Sequence, residues 1–291
     1  MKQDKVFDTA GGCIAGVEWG DWQNSDAPVV VALHGWLDNA ASFDRFAPAV
    51  VADGYRLLAL DLPGHGHSDW LADGGDYYIW ETTTAIVEVL RQLDSKAHLV
   101  GHSMGAATAF ICAASFPEQV LSVSALDAIG PLSTPPSQVA EQLRKGVEDV
   151  IRRKGRGSRT GLYASVEKAL EARTAKDPVL SQHCIRPVVE RNLTASGDGF
   201  SWRTDPRLRH ASKVRMTEDM VRGFFNQIVC EVLVIRASHS FIPKSMFDLR
   251  LSYLTKKHFV TIDGHHHFHL EESTAVDVAQ QVSQFLTEVQ L

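Results

Sequence analysis

Short apolar runs alternate with helical repeats through the first 130 residues and again near the C-terminus. Val29–Leu33 is a continuous, mostly β-branched run, which is typical of a strand buried on both faces. Similar runs lie at 56–60, 97–100, 120–126, 231–235 and 258–262. Between them, apolar side chains recur with helical spacing, at 86, 89, 90 and 93 and again at 278, 282, 285 and 289. This alternation predicts an α/β fold with a mostly parallel central sheet and helices on both faces, and the segment 6–19 predicts an antiparallel pair at one edge.

The alternation stops after Gly130-Pro131. From there to about Gln227 the chain shows helical stretches and no pattern of a buried strand, and three prolines open the segment. We therefore predict a core formed by residues 1–132 and 226–291, with a helical cap formed by residues 133–225. The cap carries a basic cluster, which is typical of a solvated helix face or, alternatively, of a surface for an acidic partner: Arg144, Lys145, Arg152, Arg153, Lys154, Arg156 and Arg159.

Composition narrows the class of protein. The chain has 291 residues, of which 44% are hydrophobic and 22% charged, and this balance predicts a large globular core. The formal net charge of -6 gives no reason to expect a nucleic-acid partner or an anionic membrane surface. No apolar run approaches the roughly 18–20 residues of a membrane span, so no span is expected. The polar N-terminus and four widely spaced cysteines (13, 112, 184 and 230) favour a cytoplasmic location without a disulfide scaffold.

The pentapeptide Gly101-His102-Ser103-Met104-Gly105 joins the predicted strand at 97–100 to a helix-forming stretch of small residues. Gly-x-Ser-x-Gly between a strand and a helix is the pattern of a sharp turn that exposes a nucleophilic serine. Both glycines are needed, because side chains at those positions would collide with neighbouring backbone. The alternative is a glycine-rich turn without chemistry, but the strand before and the helix after favour Ser103 as a nucleophile.

An acyl-transfer reaction needs two N–H donors for its oxyanion. The backbone N–H of Met104 is one candidate, because it begins the helix after the serine. The loop His34-Gly35-Trp36, which follows the strand 29–33, predicts the N–H of Trp36 as the second. The ring of His34 is interpreted first as a loop anchor bonded to backbone. The candidate substrate-contacting residues are His34, Gly35, His102 and Phe241.

These motifs together resemble the α/β-hydrolases of the serine-nucleophile type, over roughly the first 130 and the last 65 residues. The markers stand in the family's order: His34-Gly35-Trp36, Asp61–Ser68, Gly101–Gly105 and a late histidine. The resemblance is nearest to the serine hydrolase-like branch of bacterial esterases, on residues 34–39 and 127–131. It implies the fold predicted above, a serine esterase activity with a catalytic triad, and no cofactor.

The family places its catalytic histidine just after the last strand. That position here is Gly264-His265-His266-His267-Phe268-His269-Leu270-Glu271. Counting back from Leu270-Glu271 implies His266 as the base, with His265 as the alternative. Histidines at 265, 267 and 269 could instead converge on a metal, but Asp263 and Glu271 are the only carboxylates in the loop and it has no thiol, so no metal site is expected. The extra histidines are interpreted as neutral groups that pack and form hydrogen bonds around the base.

The acid departs from the commonest family pattern, which has an aspartate where this chain has Ser240. A serine cannot stabilise an imidazolium electrostatically. Part of the family places its acid after the preceding strand, and there Asp127 follows the strand 120–126. The resemblance therefore implies Asp127 as the acid, the alternative being that it caps the start of the insert. Asp248 and Asp263 lie in less suitable places.

The expected function is hydrolysis of carboxylic esters through an acyl-enzyme intermediate, with a triad of Ser103, His266 and Asp127. One alternative is hydrolysis of another acyl-type bond, namely a thioester, lactone, amide or carbon–carbon bond. Another is a non-catalytic, ligand-binding member of the fold, which Ser240 suggests. The expected partner is a small-molecule ester, and the expected assembly is a monomer or homodimer.

Overall fold

The computed structural model describes residues 2–154, 161–175, 177 and 179–290. Ten strands are present in this part of the chain: β1 (Lys2–Thr9), β2 (Gly12–Trp19), β3 (Val29–Leu33), β4 (Arg56–Leu60), β5 (Ala97–His102), β6 (Val120–Leu126), β7 (Leu193–Ser196), β8 (Gly199–Trp202), β9 (Glu231–Ala237) and β10 (Lys257–Ile262). Eight of them form one sheet in the order β1-β2-β4-β3-β5-β6-β9-β10. β1 pairs antiparallel with β2, and β2 pairs antiparallel with β4, whereas the other neighbours are parallel. The predicted mostly parallel sheet and its antiparallel edge are confirmed.

Helices cover both faces of this sheet. The α-helices of the described residues are α1 (Ala47–Ala52), α2 (Ile79–Arg91), α3 (Met104–Ser115), α4 (Val139–Lys154), α5 (Val166–Thr174), α6 (Gln182–Arg191), α7 (Glu218–Phe225), α8 (Lys244–Leu251) and α9 (Ala275–Gln290). One apolar core lies between the sheet and α2, α3, α7 and α8, and a second lies between the sheet and α1 and α9. All five residues of β3 are buried, as expected for a strand between two layers of helices. No helix in the described ranges is both long and apolar enough to cross a bilayer.

The cap contains α4, α5 and α6, but it also contains the antiparallel hairpin of β7 and β8. The sequence predicts only helices here, because both strands are four residues long and partly exposed. A separate apolar cluster, which includes Leu170, Ile185 and Val188, holds the cap together. Helix α7 lies within the predicted cap segment, but it packs on the core, where Phe225 stacks on Phe110 at 4.6 Å between ring centroids.

The turn from β5 to α3 brings the first helical turn of α3 against the sheet. A Cβ atom on Gly105 would lie 2.0 Å from the carbonyl oxygen of Leu33, and one on Gly101 would lie 2.4 Å from the backbone of Ala106. Real Cβ atoms do not approach backbone so closely, so both positions require glycine. Ser103 lies between them with φ of 51° and ψ of -112°, a conformation that costs a non-glycine residue free energy.

We predict that Gly105→Ala lowers the free energy of unfolding by at least about 3 kcal/mol, since the added methyl group meets the backbone of β3 and neither side can move without breaking sheet hydrogen bonds. Gly223→Ala is the matched control, because a Cβ there has no atom within 4 Å and lies in helix α7. It should leave stability unchanged or raise it by up to about 1 kcal/mol. Urea unfolding of both variants measures the difference. A Gly105→Ala protein as stable as the wild type would contradict the close approach of α3 to β3.

Candidate active site

The predicted catalytic residues converge at one edge of the sheet. Ser103 follows β5, Asp127 follows β6, Trp36 lies in the loop after β3, and His266 lies in the loop after β10. Since these strands are parallel, their carboxyl ends meet at the same edge, where the sites of α/β sheets collect.

Asp127 and His266 form a direct hydrogen bond. The carboxylate of Asp127 has no exposed surface, and its Oδ1 accepts from the backbone N–H of Ala237 at 3.0 Å. Its Oδ2 accepts from Nδ1 of His266 at 2.7 Å. The backbone of Asp127 has a φ of 43°, a left-handed conformation that aspartate tolerates better than most residues. The bond assigns the proton of the neutral ring to Nδ1, so Nε2 of His266 remains available as a base.

His265 and His266, the two candidates for the base, have different surroundings in the loop after β10. His265 is exposed and stacks on His239 with ring centroids 4.9 Å apart, whereas His266 turns inward beneath Phe241, whose ring centroid is 4.5 Å away. The hydroxyl of Ser240, at the usual family position of the acid, accepts a hydrogen bond from the backbone N–H of Ile242 at 3.1 Å. Asp127 therefore lies where a carboxylate partner for His266 is needed, and Ser240 belongs to a local turn.

Ser103 faces a pocket of about 740 Å³, whose wall also includes Trp36, Met104 and Phe241. Its backbone N–H donates to the carbonyl of Leu126 at 3.2 Å, which ties the turn to the end of β6. Among the side chains that the structure describes, none forms a hydrogen bond with the Ser103 hydroxyl. Such contacts are often long in ligand-free enzymes and tighten when substrate binds.

Two backbone N–H groups beside Ser103 have no acceptor within the described residues, namely those of Trp36 and Met104. Met104 is the first residue of α3, and the first N–H groups of a helix have no partner inside the helix. The loop at Trp36 is held on both sides: the Trp36 indole donates to the carbonyl of Leu208 at 2.9 Å, and the N–H of Leu37 donates to Nε2 of His65 at 3.2 Å. The two free N–H groups therefore belong to firmly supported backbone.

Three of the four predicted substrate-contacting residues lie behind the pocket. His34 is fully buried; its Nδ1 donates to the carbonyl of Gly35 at 2.7 Å and its Nε2 accepts from the N–H of Leu62 at 2.9 Å. Gly35 faces the ring of His102, whose Nδ1 would lie 2.7 Å from a Cβ at that position. His102 is also buried, and its Nε2 donates to the carbonyl of His266 at 2.8 Å.

His34, Gly35 and His102 are not among the described residues that line the pocket, so their contact with a substrate stays a prediction. The His34 ring anchors its loop through backbone hydrogen bonds, as interpreted from the sequence. Gly35 allows that loop to approach His102 closely. His102 positions the backbone of His266. Burial lowers the pKa of His34 and of His102, so both rings are neutral. Phe241 is 73% exposed and does line the pocket.

His267 forms a charged cluster with Asp38, Arg173 and Asp177, which we call the His267 cluster. Its ring nitrogens lie 3.6 Å from Asp38 Oδ2 and 3.4 Å from Asp177 Oδ2, and Arg173 lies 3.3 Å from Asp38 Oδ1. Burial favours neutral His267, but the two carboxylates outweigh it and raise its pKa to about 9. Burial opposes the charge of Asp38 as well, and His267 and Arg173 nevertheless hold the pKa of that carboxyl well below its usual range.

The His267 cluster was not predicted, since the extra histidines are expected to be neutral packing groups. Arg173 and Asp177 come from the cap and carry no motif, so the sequence gives no sign of the contact. His269 does fit the expectation, because burial lowers its pKa to about 3. The rings of His265, His267 and His269 occupy different surroundings, and in the described part of the chain no group of three or more His, Cys, Asp or Glu residues is placed to hold a metal ion.

Comparison with known proteins agrees with this architecture. Residues 28–154 match the model of the α/β-hydrolase fold family. A serine hydrolase-like protein of Dictyostelium discoideum is 31% identical over 94% of this chain and 79% of its own length, and one of Danio rerio is 30% identical over 89% and 84%. The crystal structure of a hypothetical protein from Pseudomonas aeruginosa PAO1 superposes with a TM-score of 0.87 at 31% identity, covering 98% of this chain and 99% of that one.

We predict that the His267 cluster makes stability depend on pH above neutrality. The folded-state pKa of His267, about 9, exceeds the ordinary value of 6.5. The stabilisation is therefore complete below pH 6.5 and is lost as the pH rises through 9, by on the order of 3 kcal/mol. His267→Gln should lack this component. Urea unfolding gives the free energy of unfolding of both proteins between pH 6.5 and 10. The difference between the two curves isolates His267, because other groups that titrate in this range contribute equally to both. Parallel curves for the two proteins would show that His267 is not charged in the fold.

Proposed function

The chain belongs to the α/β-hydrolase fold family, among its serine hydrolase-like members, and from this premise we propose that it hydrolyses carboxylic esters through an acyl-enzyme intermediate. The observation that carries the proposal is the 2.7 Å hydrogen bond from Nδ1 of His266 to the buried carboxylate of Asp127. It leaves Nε2 of His266 as a base at the edge of the sheet where Ser103 faces the pocket.

In the proposed mechanism Ser103 Oγ attacks the carbonyl carbon of the ester, and Nε2 of His266 takes the hydroxyl proton. The negative charge that develops on the carbonyl oxygen is stabilised by the N–H groups of Trp36 and Met104, which have no other acceptor in the described structure. His266 then gives its proton to the departing alcohol. A water molecule repeats the attack on the acyl-enzyme with His266 as base, which releases the acid and restores Ser103.

Asp127 has an electrostatic and an orienting role in this proposal. It accepts from Nδ1 of His266, which keeps the correct tautomer, and its charge stabilises the imidazolium that forms during attack. The hypothesis of a non-catalytic family member rests on Ser240, which stands where the family usually has its acid. Asp127, at the end of β6, provides a carboxylate partner for His266, so ester hydrolysis is the better supported of the two functions.

The same nucleophile, base and backbone donors could cleave any acyl-type bond. Thioesters, lactones, amides and carbon–carbon bonds beside a ketone are therefore alternative substrates within the proposal. No cofactor is required for the steps above. We propose a cytoplasmic location as well, which is supported by the four cysteines, all of them unpaired. A monomer or homodimer that acts on a small molecule is the proposed working form.

The first prediction of the proposed mechanism concerns the nucleophile. A fluorophosphonate probe should label the folded wild-type protein and should not label Ser103→Ala, because the probe traps a serine that is activated by a neighbouring base. Gel fluorescence measures labelling, and circular dichroism checks that the variant is folded. Ser115→Ala, at the far end of the same helix, is the matched control and should label like the wild type. Absence of labelling in a folded wild-type protein would contradict the proposal.

The second prediction ranks the two candidates for the acid. Asp127→Asn should lower the kcat for a 4-nitrophenyl ester by about 10⁴, because an amide cannot stabilise the imidazolium and supports the wrong tautomer. Ser240→Ala should leave kcat nearly unchanged. Stopped-flow or steady-state release of 4-nitrophenol provides the measurement. The reverse order of the two losses would move the acid to the loop after β9.

The third prediction concerns the base. His266→Ala should abolish most turnover, whereas His265→Ala should have little effect, because the ring of His265 is exposed and stacks on His239. The two variants remove the same atoms one residue apart, so each controls for the other. Similar, mild losses in both would mean that neither ring takes the proton of Ser103.

A further inference from the structure

The cap contributes an unbroken segment, residues 207–216, to the wall of the pocket that contains Ser103. We call this segment the cap strip. It carries Arg207, Arg209, Lys213 and Arg215 and no acidic residue. The whole chain has a formal net charge of -6, so a run of four cations on the wall of the candidate active site is a local reversal of sign.

Two of the four cations are neutralised by neighbours. Arg207 pairs with Asp205 at 2.7 Å and donates to the carbonyls of Ala72 and Gly75, and Lys213 pairs with Asp76. The guanidinium groups of Arg209 and Arg215 form no ion pair or hydrogen bond with any residue that the structure describes. The strip therefore contributes two residues with unpaired guanidinium groups to the pocket wall.

The other cations on the pocket wall are either paired with a carboxylate or exposed to water. Arg152 pairs with Asp149, and Arg250 is buried against Glu218. Lys145 has no partner within the described ranges, but it is exposed to water on α4. The unpaired charges that lie nearest to the protein interior are those of the cap strip.

Arg209 is partly buried, and its surroundings are unfavourable for a cation. Burial is the largest effect and lowers its pKa, Tyr163 partly opposes it, and the positive charges of Arg153 and Arg173 lower the pKa by smaller amounts. Arg153 has its own partner in Asp149, and Arg173 has one in Asp38. A guanidinium charge that is half removed from water and has no counter-ion is unfavourable in free energy. An anion bound beside Arg209 would offset this cost.

Arg209 is also tied to the loop that carries a proposed oxyanion donor. The indole of Trp36 donates to the carbonyl of Leu208, the residue before Arg209. The pocket wall is largely apolar and also includes Met104, Ile129 and Ile242. A molecule that fills this pocket would meet the nucleophile, an apolar surface and unpaired guanidinium groups.

We propose that Arg209, together with Arg215, binds an anionic group of the substrate, so that this enzyme prefers esters that carry a carboxylate or phosphate on the far side of an apolar chain. This inference rests on the proposed ester hydrolysis. The anionic group is bound and not transformed. Only the ester bond breaks, and water supplies the hydroxyl of the acid and the proton of the alcohol.

Matched substrates test the preference. The carboxylate arm compares 4-nitrophenyl hydrogen suberate with neutral 4-nitrophenyl octanoate, which has the same chain length, and the phosphate arm uses the 4-nitrophenyl ester of 8-phosphonooxyoctanoic acid. Arg209→Met should lower kcat/KM for one or both anionic esters by about ten- to a hundredfold, the scale of a lost charge-assisted contact, and leave the octanoate value within about twofold. Arg209→Lys should restore part of the loss, and Arg215→Met should act in the same direction as Arg209→Met.

Arg186→Met is the control, because it removes the same charge from cap helix α6 outside the pocket wall. It should leave all three esters unchanged. Whichever anionic ester loses more in Arg209→Met identifies the chemistry of the natural group. Equal losses on charged and neutral esters, no loss on either, or a wild-type preference for octanoate would overturn the proposal.

A binding measurement separates failure of the anion site from failure of the proposed function. Isothermal titration calorimetry with suberate and with octyl phosphate should show binding to the wild type and at least tenfold weaker binding to Arg209→Met. If this holds but no ester is hydrolysed, the proposed ester hydrolysis is wrong and the anion site stands. If neither anion binds the wild type while octanoate esters are hydrolysed, the anion site is wrong and the hydrolase stands.

Discussion

The carboxylate of Asp127 has no exposed surface, and a buried charge is tolerated only where hydrogen bonds replace its water. Its two oxygens obtain these bonds from the end of β9 and from the loop after β10. Because β6 lies between β5 and β9, a carboxylate at its end can reach the histidine loop while it remains beside the turn at Ser103. The need to satisfy one buried acid thus connects the ends of β6 and β9 with the loop after β10.

The four histidines between 265 and 269 show how surroundings decide the chemistry of one residue type. His265 stacks in solvent, His266 bonds Asp127, His267 is charged between two carboxylates, and His269 is buried and neutral. His102 lies against three of these rings, with centroids 4.6, 5.3 and 4.0 Å from His266, His267 and His269. Burial and the neighbouring histidines lower the pKa of His102, so its ring stays neutral and adds no second positive charge beside His267. Its Nε2–H remains available to hold the backbone of His266.

The sequence predicts those features whose cause lies within a few residues. The strand Val29–Leu33, the turn at Ser103 and the repeat of α9 each carry a local pattern, and the sheet follows from them. Features that depend on distant contacts were missed. The glycine at 35 is required by the ring of His102 rather than by a substrate, and the charge of His267 depends on Asp177 in the cap. The short hairpin at 193–202 is stabilised by pairing within the cap, where neither strand has a pattern of its own.

The cap and the core meet through several charged contacts. Besides the His267 cluster, Arg191 of α6 lies 2.9 Å from the fully buried carboxylate of Asp61, and Lys213 of the cap strip pairs with Asp76. Apolar contact joins the two parts as well, since the cap cluster includes Ala41 and Leu270 from the core segments, and Met216 of the cap strip belongs to the core cluster. Partly exposed ion pairs weaken as salt is added, whereas buried pairs and apolar packing respond much less. The pair of Lys213 and Asp76 is the most exposed of these contacts, so salt should weaken it most, and the same cap carries the unpaired arginines of the pocket wall. Salt would therefore weaken both this contact of the cap with the core and the attraction of the pocket wall for anions.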